Sequence, residues 1–278
     1  MKINNRKTKI FKGILYVVLI VLAAVMMVPF VWMLSASLKL DKDVFIFPIQ
    51  WIPTNPRWKN YVDIWNKIPL AKFVLNTVKL TLIVTFLQLL TSSFAAYAFG
   101  KLEFKGKNIL FLAYIATIAV PWQVYMVPQF MMMRSMGLAD THLAIIFLQA
   151  FSAFGVFMMK QFYQGIPTEL CEAARIDGMN EYKIWYKIML PLSKPALSTL
   201  TIFTFVNTWN DFLGPLIYLT TESKKTLQLG LRMFISQFGS EYGLIMAASV
   251  LSLIPVLLVF LSLQKYFVEG VAATGVKG

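Results

Sequence analysis

The sequence predicts an all-α integral membrane protein crossing the bilayer six times. Of its 278 residues 58% are hydrophobic and only 14% charged, an imbalance foreign to soluble domains. The charged residues are also gathered into short clusters separated by uncharged runs. Those runs have the length, about 20 residues, that a helix needs to cross roughly 30 Å of hydrocarbon.

Residues 1–13, "MKINNRKTKIFKG", form a basic N-terminal segment, and 14–37 read as the first span. A cleaved signal peptide is the competing reading. Against it, the apolar stretch is too long for a signal core and has no small-residue cleavage site. Residues 38–72 form a long extracytoplasmic loop holding Phe45, Phe47, Trp51, Trp58, Tyr61 and Trp65. Such a loop suits anchoring at the membrane interface or contact with a partner.

The second span is 73–100 and the third 108–133, joined by the tight turn "KLEFKGK". The fourth is 141–163, followed by a polar insert at 164–193. The fifth, 194–221, carries Asp211 inside it. In the extracytoplasmic loop 222–241, Leu227, Leu231, Phe234, Ile235 and Phe238 recur at helical spacing and predict a short amphipathic helix. The sixth span is 242–265 and the tail 266–278. Prolines at 29, 121, 128, 215 and 255 predict kinks, which membrane helices tolerate when neighbouring groups take up the freed carbonyls.

Lys and Arg bias loops toward the cytoplasm. Five of the first twelve residues are basic and none is acidic, which places both termini and the 164–193 insert inside. The formal net charge of +13 sits at span ends, where it meets lipid head groups rather than nucleic acid. A single cysteine, Cys171, and a single histidine, His142, leave no intrachain disulfide and no metal cluster. Neither a phosphate-cradling glycine loop nor H-E-x-x-H is present. Hence no catalytic residue, metal or cofactor is expected on this chain, and an enzyme is not expected.

The insert contains four of the thirteen acidic residues, between Glu169 and Glu181. Pro167 bounds it, Thr168 is placed to cap a helix beginning at Glu169, Gly178 to stop that helix, and Asn180 to cap a second. Leu170, Ala173 and Ala174 share a small, mildly apolar face. The expectation is two short helices hinged at Gly178, with two readings open: a solvated loop, or a shape that seats in a groove of another protein.

Glu172-Ala173-Ala174, then Gly178 after three intervening residues, then Ile188-x-Leu190-Pro191 after nine more intervening residues, resembles the EAA motif of ABC importer permeases at every fixed position. Asp177 also fits. "NPRWKNY" at 55–61, "WNDF" at 209–212 and "YFVEGVAATGVKG" at 266–278 are similar to maltose-type carbohydrate permeases, specifically the six-span member of the heterodimer. Cys171, where an acid is frequent, and Met179-Asn180 depart from the pattern.

The resemblance implies a type I ABC importer permease fold in a bacterial cytoplasmic membrane. Glu172, Ala173, Ala174, Asp177, Gly178, Ile188, Leu190 and Pro191 would form a coupling helix docking on the ATPase, and Gly270, Gly275 and Lys277 of the tail would reach toward it. Implied partners are a second permease subunit, two cytoplasmic ATPase subunits that bind ATP and Mg, an extracytoplasmic solute-binding protein, the sugar and membrane lipid. A permease for glycerophosphodiesters or polyol-like solutes is an alternative in this class. An ion-gradient-driven secondary transporter is the alternative outside it, and it calls for paired intramembrane ionisable residues and repeat symmetry.

Asn207, Trp209, Asn210 and Asp211 lie deep in the fifth span, with Gln123 and Tyr125 in the third. Ionisable groups at depth face a bundle interior or a water-filled path. Two readings stand for this cluster: it lines the sugar path, or it locks spans of two subunits together. Gln88, Thr91, Ser92 and Ser93 read as helix-packing residues, and His142 as structural.

Overall fold

A computed structural model describes residues 5–236 and 239–275. Among the described residues, four helices are long and apolar enough to span a membrane: Lys9–Ser37, Leu70–Lys101, His142–Gln164 and Tyr242–Tyr266. Two bent pairs, Lys107–Ala119 with Trp122–Ser135 and Glu181–Leu192 with Lys194–Trp209, raise the number to six if each pair is one span.

The chain divides into two compact units. The smaller contains α1 (Asn5–Ser37), α2 (Asn60–Lys67) and the first turns of the last helix. Apolar side chains of α1 such as Ile20 and Met26 are exposed, as suits a lipid-facing helix. Polar bonds close this unit at the helix end: Asn60 Nδ2 donates to the carbonyls of Ser37 and Lys39, 2.9 Å each, and Lys67 pairs with Glu241.

The larger unit is organised on α3 (Leu70–Lys101). Around it come α4 (Lys107–Ala116), α5 (Trp122–Ser135), α6 (His142–Gln149) and α7 (Ala153–Gln164). The segment α8 (Glu169–Ile176), α9 (Glu181–Ile184) and α10 (Leu190–Leu192) follows, then α11 (Lys194–Trp209), α12 (Leu213–Tyr218) and α13 (Leu227–Arg232). In the smaller unit, a minimal ribbon of β1 (Ile235–Ser236) and β2 (Gly239–Ser240) precedes α14 (Tyr242–Gly275), whose later turns from Ile254 belong to the larger unit. Helix α7 approaches α3 so closely at Gly155 that a Cβ there would lie 2.4 Å from Ser92 Oγ and 3.3 Å from Leu200 Cδ1. That contact is the small-residue packing expected between membrane helices.

Several expected elements differ. The third span, expected as one helix over 108–133, bends by 102°. Pro121 offers no N–H and forces Val120 into extended backbone (φ −89°, ψ 112°). The fourth is interrupted at Ala150–Ser152 between α6 and α7. The fifth, expected through 221, runs helically only to Trp209 and resumes as α12, because Asp211 turns its carboxylate back onto the Gly214 N–H (3.0 Å) and starts a new helix.

The amphipathic helix foreseen from Leu227 stops at Arg232. Ile235 lies in the ribbon, while Phe238 falls outside the described residues. Residues 185–189 adopt a π turn, in which the Leu190 N–H bonds the Trp185 carbonyl. Pro191 lacks the N–H that would otherwise close an α-turn on Lys187. Ile184 and Met189, five residues apart across this turn, are both fully buried.

A corner network joins the α5–α6 turn to the stretch after α12. Asp140, at φ 55°, accepts from the N–H groups of Thr220 and Thr221 (2.9 and 3.0 Å), the Thr221 hydroxyl and Lys224 Nζ (2.9 Å). His142 Nε2 hydrogen-bonds the Lys224 carbonyl at 2.8 Å, the structural role its position implies.

The Thr221 hydroxyl and Lys224 ammonium hold the Asp140 carboxyl well below the usual carboxylate range. A pKa lowered by folding contributes stability that is present above the ordinary value of 3.8 and is lost as pH falls toward the folded value. Asp140→Asn should therefore lower the melting temperature of detergent-purified protein at neutral pH. The gap to wild type should narrow in melts run below that ordinary value.

Candidate functional site

Two groups of residues in the larger unit stand out, a polar-lined cavity and the helix-turn-helix of 164–193. The cavity arises from the interruption of the fourth span. Breaking a helix leaves carbonyls without partners, a costly condition in hydrocarbon. Here Gln88 Nε2 of α3 donates to the Gln149 carbonyl and Thr91 Oγ1 to the Ala150 carbonyl, 2.7 Å each. Gln88 and Thr91, two of the four residues read as helix packing, thus repair a broken helix.

The freed Gln149 side chain in turn donates to Asp211 Oδ2 at 2.7 Å and accepts from the Thr208 hydroxyl at 3.4 Å. Thr204 Oγ1 donates to Gln88 Oε1 at 2.9 Å. One chain of hydrogen bonds therefore links α3, α6, α11 and the Asp211 turn. Beside it lies a cavity of about 430 Å³. Among the site residues expected from sequence, Asn207, Asp211 and Tyr125 line it.

The others do not. Trp209 is only 1% exposed and stacks on Phe205, ring centroids 5.7 Å apart. Asn210 accepts from Gln228 Nε2 at 3.3 Å, and Gln123 is exposed away from the lining. Sequence reading missed Gln129 and Gln149. Each is an isolated amide in an otherwise apolar run, which is the signal that could have found them.

In the second group, α8 turns Cys171 and Ala174 into a core with Tyr97, Met159, Tyr163, Ile184 and Met189. Leu170, Ala173 and Ile176 are exposed, Ile176 by 86%. The small face expected from Leu170, Ala173 and Ala174 is therefore split between core and surface. Glu172, Asp177, Gly178 and Pro191 are exposed, and Ile188 and Leu190 half-buried.

Gly178 adopts φ +78°, left-handed backbone that favours glycine, and Asn180 Oδ1 caps the next helix by accepting from the Lys183 N–H at 3.0 Å. Thr168 makes no cap; its hydroxyl accepts from Lys101 Nζ at 3.2 Å, and that ammonium also takes the Ile166 carbonyl at 2.5 Å. Arg175 spans the bend with two hydrogen bonds to Glu181 (2.7 and 3.3 Å), and Glu181 accepts from the Tyr97 hydroxyl of α3 at 2.5 Å. Of the tail residues, Lys277 and the surroundings of Gly270 and Gly275 lie outside the described residues.

The family model for the binding-protein-dependent transport system inner membrane component matches residues 88–272. The chain belongs to this family. It is 37% identical over 203 residues to the arabinooligosaccharides transport system permease protein AraQ of Halalkalibacterium halodurans, covering 73% of each chain. Identity to the AraQ protein of Bacillus subtilis is 35%, over 88% of this chain and 85% of that one.

A crystal structure of a bacterial ABC transporter involved in import of the acidic polysaccharide alginate contains a chain similar to this one. Its TM-score is 0.83 at 26% identity, over 96% of this chain and 100% of that one. The match to binding-protein-dependent inner membrane components encompasses both the cavity residues from Gln88 onward and the whole Gly178 bend. A mostly helical architecture with four to six candidate spans among the described residues agrees with this membership.

Replacing Gln88 by Leu should strand the Gln149 carbonyl and the Thr204 hydroxyl together. A loss of about 1–3 kcal/mol is expected, the cost of an unsatisfied buried polar group, read as a lower melting temperature in detergent.

Proposed function

We propose that the chain is the transmembrane permease subunit of an ATP-driven carbohydrate ABC importer. It forms half of the translocation path and converts closure of a separate ATPase into alternating access. The observation that carries this is the bend at Gly178, spanned by Arg175 and Glu181 and tied to Tyr97, with Cys171 and Ala174 packed into the core on one side and the other side bare. Leu170, Ala173 and Ile176, at three-residue spacing, present an apolar stripe flanked by the exposed Glu172 and Asp177. A helix fixed on one side and bare on the other suits docking in a partner's groove.

In this reading Glu172, Ala173, Ala174, Asp177 and Gly178 take the push of the ATPase, and Ile188, Leu190 and Pro191 pass it to α11. Gly270, Gly275 and Lys277 of the tail reach the same partner. Both termini and the 164–193 segment face the cytoplasm of the bacterial cell. The complex contains a second permease subunit, two ATPase subunits holding ATP and Mg, and an extracytoplasmic solute-binding protein. Asn207 and Asp211, with Tyr125, belong to the sugar path. The carbohydrate assignment is supported by relatives named for arabinooligosaccharide transport. An ion-driven carrier would need paired ionisable groups, whereas Asp211 is the only such acid among the residues lining the cavity.

Purified alone, the chain should hydrolyse no ATP, and phosphate-release assays on it should stay at background. Gly178→Pro cannot adopt φ +78°, so it should abolish sugar uptake and stimulated ATPase activity in the assembled transporter while membrane insertion is retained. Wild-type uptake in that variant would leave the segment a solvated loop.

A further inference from the structure

The cavity beside Gln149 is chemically one-sided. Its walls are aromatic, with Trp122, Tyr125, Phe154 and Phe203. Its polar groups are amides, hydroxyls and the single acid Asp211; no Lys, Arg or His is among the residues that line it. At about 430 Å³ it falls near the small end of ligand sites, roughly 300–1,000 Å³.

Hydrogen bonding within the wall determines what remains for a ligand. Gln88, Gln149, Thr204 and Thr208 are spent on one another and on freed backbone. Gln129 Oε1 accepts from both Trp122 Nε1 (2.8 Å) and the Tyr218 hydroxyl (3.2 Å), which fixes the amide and leaves its N–H groups without a partner among the described residues. Asn207 is exposed and likewise unpartnered there. Asp211 accepts one N–H on each carboxylate oxygen, from Gly214 and Gln149, and a carboxylate has lone pairs to accept two more.

We propose that this cavity is a subsite for an uncharged saccharide, with hydroxyl groups bound by Gln129, Asn207 and Asp211 and ring faces against the aromatic walls, and that it excludes uronates. The inference rests on the carbohydrate-permease reading. A neutral sugar trades water for fixed donors, acceptors and rings. A carboxylated sugar would leave its hydration with no cation to meet it, and an unpaired buried anion is strongly disfavoured.

The test uses the full-length chain in lipid nanodiscs, with saturation-transfer NMR on maltose, lactose and arabinobiose as neutral probes and digalacturonate as the acidic one. At least one neutral disaccharide should bind and digalacturonate should not. Asn207→Ala should weaken neutral binding by about three- to tenfold, the size of one neutral hydrogen bond. Asn207→Lys, which supplies the missing cation, should let digalacturonate bind.

Binding of digalacturonate to wild type as tight as that of the neutral sugars would overturn the proposal, as would silence from all three neutral probes or indifference to both substitutions. ATP-driven uptake of the same sugars by the assembled transporter separates the two readings. Uptake of a neutral sugar that does not bind here removes the subsite alone, whereas no saccharide uptake at all removes the permease reading.

Discussion

Hydrocarbon cannot supply hydrogen bonds, so a membrane helix may break only where the protein itself satisfies the backbone that the break exposes. In this chain that condition is met by Gln88 and Thr91, which occupy the carbonyls of Gln149 and Ala150. The hydrogen-bonded wall of the cavity around Gln149 descends from this repair. Once α6 ends at Gln149, its side chain is free to reach Asp211, and Asp211 in turn starts α12 through the Gly214 N–H. Without the amide and hydroxyl on α3, the carbonyls of Gln149 and Ala150 would lose these partners.

The same helix anchors the other end of the unit. Tyr97 and Lys101 of α3 hold Glu181 and the residues before α8. From Gln88 to Lys101 is thirteen residues, about 20 Å of continuous helix at 1.5 Å per residue. A single uninterrupted helix therefore connects the repaired break to the Gly178 bend. Displacement of one end is carried to the other with no break in the helix between them, the mechanical condition for coupling the bend to the cavity.

The Gly178 bend was legible because its parts are local: a glycine at positive φ and an asparagine cap act within a few residues. Charge-free runs signal apolar helices for the same local reason, but among the described residues four of them are spanning helices and two are bent pairs. Pro121 signalled a kink, but a 102° bend depends on packing beyond the proline itself. Thr168 had the right identity for a cap, yet Lys101, distant in sequence, recruited its hydroxyl. Trp209 beside Asp211 resembled a path residue, and burial against Phe205 decided otherwise. The cavity depends on amides from α3, α5 and α6 meeting Asp211, a juxtaposition that only the tertiary structure creates.

The π turn at 185–189 has a consequence for spacing. In a plain α-helix, residues five apart point about 140° away from each other, yet Ile184 and Met189 both reach the same core. The wider turn absorbs that mismatch and sets the angular phase at which α8 and its bare stripe emerge relative to α11. Deleting one residue between Gly178 and Pro191 would rotate that stripe by about 100° even if every remaining residue type were kept. Chain length between the glycine and the proline is thus as strict a requirement as the identity of the residues at either end.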